Sequence, residues 1–527
     1  MGLLSLSGGP DGAYLEISMD GPSTEKLGSS DSQELARGAL INVVGILARF
    51  TRGAYIVLFP RLFGADVFGR CLLLFAVNEV LGRVTGAGFE WGVLRSVSRL
   101  TAQGREGEIR PFVMGALRRV LVLSLGLSAL FAAVSSWLAV SVFRKPELAG
   151  PLALSCVTLP VLNAEMVLLF AIRGMRKMQY EVYVKSMAEP LLTLVTGLLA
   201  FLLMRNIYGV TLSYVATISG GLVLSWFYFR SMFPKSKARQ VASEDWSAVA
   251  TYSLPMSGMD LLNTLKSRLE LIVVGPFLPL PSVAVFGAAL ELGNLIRKVR
   301  QAFEPIFMPL TAHVHELNDR GRLQRHYALG VRWTLLAALF VYGPMVVAPD
   351  LLLSAFGPGF STGGPVLILV GAGMVFYVTI GLADAVLSMT GHAWANVANS
   401  LVLVALNLIL AVALVPRFGI LGAAWATAIS VALVSVLRAY QAFRYEKVHP
   451  FHASQLKPLA AAALAGGGAA MVRWWIGGHS LSGAVLSLAV FFSLDLLLLA
   501  VVFKPEPEGR EILREIWARI RHKTFKD

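Results

Sequence analysis

Residues 38–60, GALINVVGILARFTRGAYIVLFP, decide how this chain is read. The stretch is apolar, and at ~1.5 Å of rise per residue it is long enough to cross the ~30 Å hydrocarbon core of a bilayer as a helix. Arg49 and Arg52 stand in its middle. A guanidinium near the bilayer centre costs roughly 2.5–3.5 kcal/mol on insertion scales, so such residues face a bundle interior or a wet cavity and mark a transport path.

The rest of the chain has the same character. It is 527 residues long, 56% hydrophobic and 15% charged, with a mean hydropathy of +0.67, whereas a soluble protein carries about a quarter charged residues. Apolar runs fall at 38–60, 71–92, 117–140, 151–171, 184–204, 208–230, 250–277, 282–309, 329–348, 363–388, 394–415, 419–441, 457–476 and 480–503. Only helices and closed barrels satisfy every backbone group in lipid, and these runs are about twice the length of a barrel strand. The expected fold class is therefore an all-α integral membrane protein with about 14 transmembrane helices.

The net charge of +14 does not call for a nucleic-acid partner. Lys and Arg gather at span ends on alternate sides, with a roughly fourfold excess on one side, as the positive-inside rule requires. That places both termini in the cytoplasm. Residues 1–37 read as a flexible cytoplasmic tail without a cleavable signal, and 504–527 as a basic cytoplasmic tail whose Ile512 to Ile520 stretch suits anionic lipid or plain solvent. Cys71 and Cys156 fall in apolar spans and read as buried thiols.

The chain repeats itself. Val67-Phe-Gly69 returns as Val285-Phe-Gly287, and Gly174 is answered by Gly391. Arg205-Asn-Ile-Tyr-Gly209 with Ala216-Thr-Ile-Ser219 is answered by Arg417-Phe-Gly419 with Ala426-Thr-Ala-Ile-Ser430, all at offsets of about 210–218 residues. The expected organisation is a six-helix lobe over 38–232, a cytoplasmic linker over 233–249, a second six-helix lobe over 250–445 and two additional helices over 456–503. Both copies start on the same side of the membrane, and transporters built as parallel repeats hold their substrate near the midplane between the halves.

Charge placement selects the helices that face such a site. Asn42, Gly45, Arg49 and Arg52 in the first span, Asp260, Asn263, Ser267 and Glu270 in the seventh, and Glu291, Asn294, Lys298 and Gln301 in the eighth each step by three or four residues along one helix face. Glu79, Arg83, Gly86 and Glu90 do so in the second. Glu79 with Arg83, Lys266 with Glu270, and Arg300 with Glu304 are four apart and can neutralise each other along their own helix. Arg49, Arg52, Arg268, Arg297 and Lys298 have no such acid. The candidate substrate-binding residues are thus Arg49, Arg52, Arg83, Arg268, Arg297 and Lys298, because a guanidinium binds phosphate bidentately and stays charged at any relevant pH. Glu79, Asp260, Lys266, Glu270 and Glu291 are the candidate ion-coupling or structural partners. For Glu165, Glu189, Asp384 and Asp495 in other spans, snorkelling, helix-to-helix hydrogen bonds and ion coupling all stay open, with a structural role the simplest.

From about Arg37 to Arg444 the chain resembles the multidrug/oligosaccharidyl-lipid/polysaccharide exporter superfamily, and within it the flippases of O-antigen and capsule repeat units. The segments that carry the resemblance are FPRLFGADVFG at 59–69, GFEWGVLR at 88–95, LPMSG at 254–258, the FGPG loop at 356–359 through MTGH at 389–392, and LVPRFGILGAA at 414–424. The resemblance implies a V-shaped cavity between two lobes, alternating access, an undecaprenyl-diphosphate-linked glycan as substrate, an ion gradient or membrane potential as energy source, and a bacterial cytoplasmic (inner) membrane. It extends to possible partnership with a glycan polymerase and export machinery. A cation-coupled multidrug antiporter and a lipid II flippase are the rivals within the superfamily.

Other classes fit poorly. An ATP-driven pump needs a phosphate-cradling Gly-Lys loop, and the chain has no Gly-Lys pair. A glycan polymerase needs a substantial outer loop for catalytic residues. The histidines lie at span ends or in loops, with His313 and His315 on different faces, so no metal, cofactor or catalytic residue is expected.

Overall fold

The computed structural model describes residues 29–234, 246–476 and 480–502. The expected tails and the Ile512 to Ile520 stretch lie wholly or largely outside them. Residues Met1–Leu47 form one unit and Ala48–Asp527 a second, which holds the core and the charged helices. The described residues are mostly helical, with no strand among them.

The first helix, α1 (Ser29–Gly86), contains Pro60 and breaks at Gly64, whose φ of 84° only glycine adopts without strain. The short α2 (Phe89–Ala102) follows two residues later, so the expected 71–92 span is cut at Gly86–Gly88. Then come α3 (Ile109–Trp137), α4 (Ala149–Ser155) and α5 (Thr158–Gly174). The helical run α6 (Gln179–Glu181) passes through a π-helical turn, Val182–Ala188, into α7 (Glu189–Leu203), and α8 (Ile207–Met232) starts from Asn206, whose side chain accepts from the Gly209 amide.

The second half comprises α9 (Trp246–Val274), α10 (Leu280–Glu316), α11 (Arg320–Val347), α12 (Pro349–Ser354), α13 (Gly364–Thr379), α14 (Ala383–Met389) and α15 (Ala393–Glu446). Like α1, α15 contains a proline, Pro416, followed by a left-handed glycine, Gly419, with φ 57°. Two helices close the described chain, α16 (Leu456–Ile476) and α17 (Leu481–Val502). Ala465 and Ala469 of α16 and Phe491 of α17 share a buried cluster with Val347 at the end of α11, the small-residue contact typical of helices in lipid.

Ten helices among the described residues are long and apolar enough to cross a membrane by length and composition, against the fourteen crossings expected. The difference falls at α15, whose two arms count once, and at α1 and α9, which are not among the ten. Charge explains the last of these, since α9 alone carries Asp260, Lys266, Arg268 and Glu270. Large apolar side chains such as Val122, Leu203, Val223 and Trp474 remain exposed, as they must when the surrounding solvent is hydrocarbon.

The main core runs between the arm of α1 after Gly64 and α9, α10, α13 and α15. Phe59, Phe63, Phe68, Phe356 and Phe360 pack ring on ring near Gly64. There Arg61 donates to the Ala355 and Ser354 carbonyls at 2.6 and 3.0 Å, a cation on the open end of α12. Both repeated glycines lie in this contact. A Cβ on Gly69 would collide with the Leu280 backbone of α10, and one on Gly287 of α10 with Leu72 of α1. Lys145 donates to the Gly275 carbonyl at 2.5 Å, and burial pushes its ammonium down from its ordinary pKa.

Candidate functional site

α9 and its neighbours carry most of the charge. At the Gly88 end, α2 lies against α9 so closely that a Cβ on Gly88 or Gly92 would collide with Ser253. This proximity lets the Trp91 indole N–H donate to Asp260 Oδ2 at 2.7 Å. Arg83 stands between Glu90 at 3.7 Å and Asp260 at 3.9 Å, distances of ion pairing without a formed hydrogen bond. One turn earlier on α1, Glu79 accepts from Arg268 of α9 at 2.5 Å. The pairing expected along α1 between Glu79 and Arg83 is thus exchanged for two pairings between α1 and α9. Helices packed at ~8–10 Å bring long side chains of different helices as near as those one turn apart.

Lys266 likewise leaves Glu270. Its ammonium donates to Ser400 of α15 at 3.3 Å and feels the charges of Asp384, Arg300, Arg438 and Arg297. Arg300 keeps its expected partner, Glu304, at 2.7 Å, and adds more. Its remaining guanidinium nitrogens reach Asp384 of α14 and, at 3.2 Å, the Gly381 carbonyl, and its carbon lies 4.8 Å from the Tyr377 ring centre. Arg438 of α15 approaches Asp384 from the other side at 3.6 Å. Arg300 and Arg438 are both 4% exposed. The apolar runs 419–441 and 329–348 thus each bury an arginine, Arg438 and Arg332.

Arg297 and Lys298 differ. Arg297 rests with Nη2 3.9 Å from Met374 Sδ and its guanidinium 5.7 Å from the Tyr377 ring centre, and its buried Nε has no hydrogen-bond partner among the described residues. Glu270 acts on it through charge alone. Lys298 is exposed, and Glu291 half-buried, and neither forms an ion pair among the described residues. Arg49 and Arg52 lie on the path of α1, with side chains outside the described residues.

The sequence reading missed Arg438, the indole of Trp91 and the role of Lys185. Arg438 continues the small and polar face Thr427, Ser430, Val434, all buried, at helical spacing, which was a usable signal. Lys185 stands four before Glu189, also legible. The Trp91 contact depends on α2 meeting α9 and has no local signal. Among the described residues no group of three or more His, Cys, Asp or Glu could hold a metal ion. His315 and His392 instead flank Glu446 at 3.4 and 3.7 Å.

The sequence pattern of a family described as polysaccharide biosynthesis protein matches residues 59–361. Two curated relatives from Haloferax volcanii are similar. One is the probable low-salt glycan biosynthesis flippase Agl15, 26% identical over 178 residues, which are 33% of this chain and 37% of the relative. The other is the probable flippase AglR, 25% identical over 262 residues, 49% and 54% of the respective chains. The chain thus spans between about a third and a half of these relatives' length. Among solved structures, the lipid II flippase MurJ in its inward closed conformation superposes with a TM-score of 0.68 over 88% of this chain and 99% of that one, at 14% identity. At that identity the likeness is one of fold.

Proposed function

We propose that this chain, which belongs to the polysaccharide biosynthesis protein family, is a flippase. It moves a polyprenyl-diphosphate-linked oligosaccharide, an O-antigen, capsule or exopolysaccharide repeat unit, from the cytoplasmic to the outer leaflet by alternating access. In this reading the two six-helix lobes, 38–232 and 250–445, rock about a shared cleft in a bacterial inner membrane. Both termini are cytoplasmic.

One observation supports the reading: adjacent cations on α10, Arg297 and Lys298, form no ion pair among the described residues, with Glu270 reaching Arg297 only through its charge, whereas Arg300 on that helix and Lys266 and Arg268 on α9 are engaged. An arginine held this way in lipid is costly, and a ligand that supplies several anionic oxygens removes the cost. A diphosphate does so with the geometry a guanidinium fork prefers, while the lipid tail stays in the bilayer. Arg49 and Arg52 are assigned to the same head group. Arg83 and Arg268, already shared among Glu90, Asp260 and Glu79, would release to the cargo only when those pairs part. Glu79, Asp260, Lys266, Glu270 and Glu291 serve as their structural or ion-coupling counterparts. The name of the Haloferax relative Agl15 supports a glycan cargo, and that of AglR supports a flippase. The MurJ-like fold keeps lipid II as the second reading.

Deletion of the gene should remove a surface polysaccharide and leave lipid-linked repeat units on the cytoplasmic side, with cationic dye efflux unchanged. Arg49→Ala or Arg52→Ala should reproduce this with normal membrane abundance. Loss of dye efflux with normal surface glycan would establish an antiporter instead, and a halt in peptidoglycan synthesis would establish lipid II.

A further inference from the structure

A second charged group lies in the first half of the chain, apart from the cations assigned to cargo. Glu165 of α5 has a fully buried side chain, 0% exposed. Its Oε2 accepts from Lys185 Nζ at 2.8 Å, and the same ammonium donates to Glu189 Oε1 at 2.5 Å. The other oxygen, Glu165 Oε1, is buried without a hydrogen-bond partner among the described residues. Lys185 sits within the π-helical turn Val182–Ala188, an irregularity frequent at functional sites. Gly221 of α8 faces both acids, and a Cβ there would lie 2.5 Å from Glu165 Oε1 and 3.1 Å from Glu189 Oε1. The glycine leaves a small space bounded by two carboxylates.

The groups that face this space can be named helix by helix. Lys185 and Glu189 come from the helix that runs through the π turn. Tyr214 comes from α8, feeling the charges of Glu189, Glu79 and Glu165, and Glu79 on α1 is held by Arg268. α2 and α3 pack on α5 through apolar residues, Val93, Val97 and Phe112 clustering with Ala164 and Leu168. Among the described residues one cation, Lys185, acts on Glu165.

Two ionised carboxylates and one ammonium leave an unmatched negative charge inside an apolar bundle, an arrangement that folding does not sustain. The resident ammonium already fills the position between the acids that a metal cation would take. We propose that Glu165, Lys185 and Glu189 form a one-proton binding site in which Glu165 Oε1 carries the proton. Binding forms one O–H bond and takes the triad from a net charge of minus one to zero; release breaks that bond and restores the charge. Glu189 and Lys185 are 17% and 21% exposed, so the proton enters and leaves past them. This assignment goes beyond the cargo reading and does not depend on it.

Infrared spectroscopy of the purified full-length protein in phosphatidylcholine vesicles near neutral pH tests the proposal. Beside the lipid ester band, which does not shift in D2O, and any contribution of other buried acids such as Glu90 and Asp495, the wild type should show one protonated-carboxyl component that shifts in D2O and is insensitive to exchange of sodium for potassium. Glu165→Gln should lose it. Glu189→Gln should lose it as well, since Glu165 and Lys185 then balance without a proton, and Lys185→Met should double it. If Glu165→Gln fails to fold, the Glu189→Gln result decides alone. If that component persists in either glutamine variant, or if sodium removes it, the proposal is overturned. None of these readouts uses transport, so a failed cargo assignment leaves them interpretable.

Discussion

Two regions of α10, one turn apart, hold the same side chain in opposite circumstances. In the Asp384 pocket, Arg300 is saturated by Glu304, Asp384 and the Gly381 carbonyl, with Arg438 sharing the aspartate. At Arg297 the guanidinium meets a thioether and the Tyr377 ring and leaves Nε bare. The first arrangement uses charge to fix three helices to one another. The second keeps charge in reserve. Composition counts both as intramembrane arginines; only the partners tell them apart.

Substitution can break this contrast, most severely at the pocket. Arg300→Ala removes the main partner of a half-buried acid and should cost about 3–5 kcal/mol, read as a large drop in the thermal midpoint of the purified protein. An effect no larger than that of Arg297→Ala would erase the distinction. Trp91→Phe should cost less, about 1–2 kcal/mol, since Asp260 loses one hydrogen bond but keeps Arg83. Glu79→Gln should cost only ~0–1 kcal/mol, because both it and Arg268 are partly exposed, and its effect should shrink with added salt. Arg297→Ala should shift the midpoint least, by ~0.5 kcal/mol or less, yet abolish glycan export, with Arg297→Lys restoring it in part. A destabilised Arg297→Ala protein would place this arginine with Arg300.

The pH dependence offers a fifth test at the margin of the same half. Burial acts to raise the Asp350 carboxyl, but the Arg473 guanidinium and two backbone hydrogen bonds outweigh it and hold the group below its ordinary value. A carboxyl depressed on folding contributes stability that is fully present above the unfolded value near pH ~4. That contribution is lost as pH falls through the folded value. Asp350→Asn should therefore lower the thermal midpoint at neutral pH and flatten the loss on acidification.

Much of the fold was legible because hydrophobic length speaks for itself in lipid. The breaks at Gly64 and Gly419 could be located from Pro60 and Pro416 followed by glycine, although each break is a single glycine of non-helical backbone between two helices rather than a longer loop. The site was less legible. Spacing of four residues identifies partners on one helix, and it found Arg300 with Glu304. It could not find Arg268 with Glu79 or Arg438 with Asp384, which exist only once helices pack. The spacing of Arg438 could place it on the buried face of Thr427 and Ser430, but it could not name Asp384 as its partner.

Gly69 and Gly287 bring α1 and α10 together with no side chain of their own in the contact. At Gly69 the contact is with the Leu280 backbone itself and behaves as a fulcrum, since no side chain there can compress or slide to absorb a tilt, while at Gly287 the Leu72 side chain fills the gap. Lys298 lies eleven residues along α10 from Gly287, a lever arm of ~16 Å at ~1.5 Å per residue. A tilt of ~10° about the glycines would sweep the Lys298 backbone through ~3 Å, about the length of a hydrogen bond, so a small rotation there would be enough to make or break the anion contact proposed for Lys298.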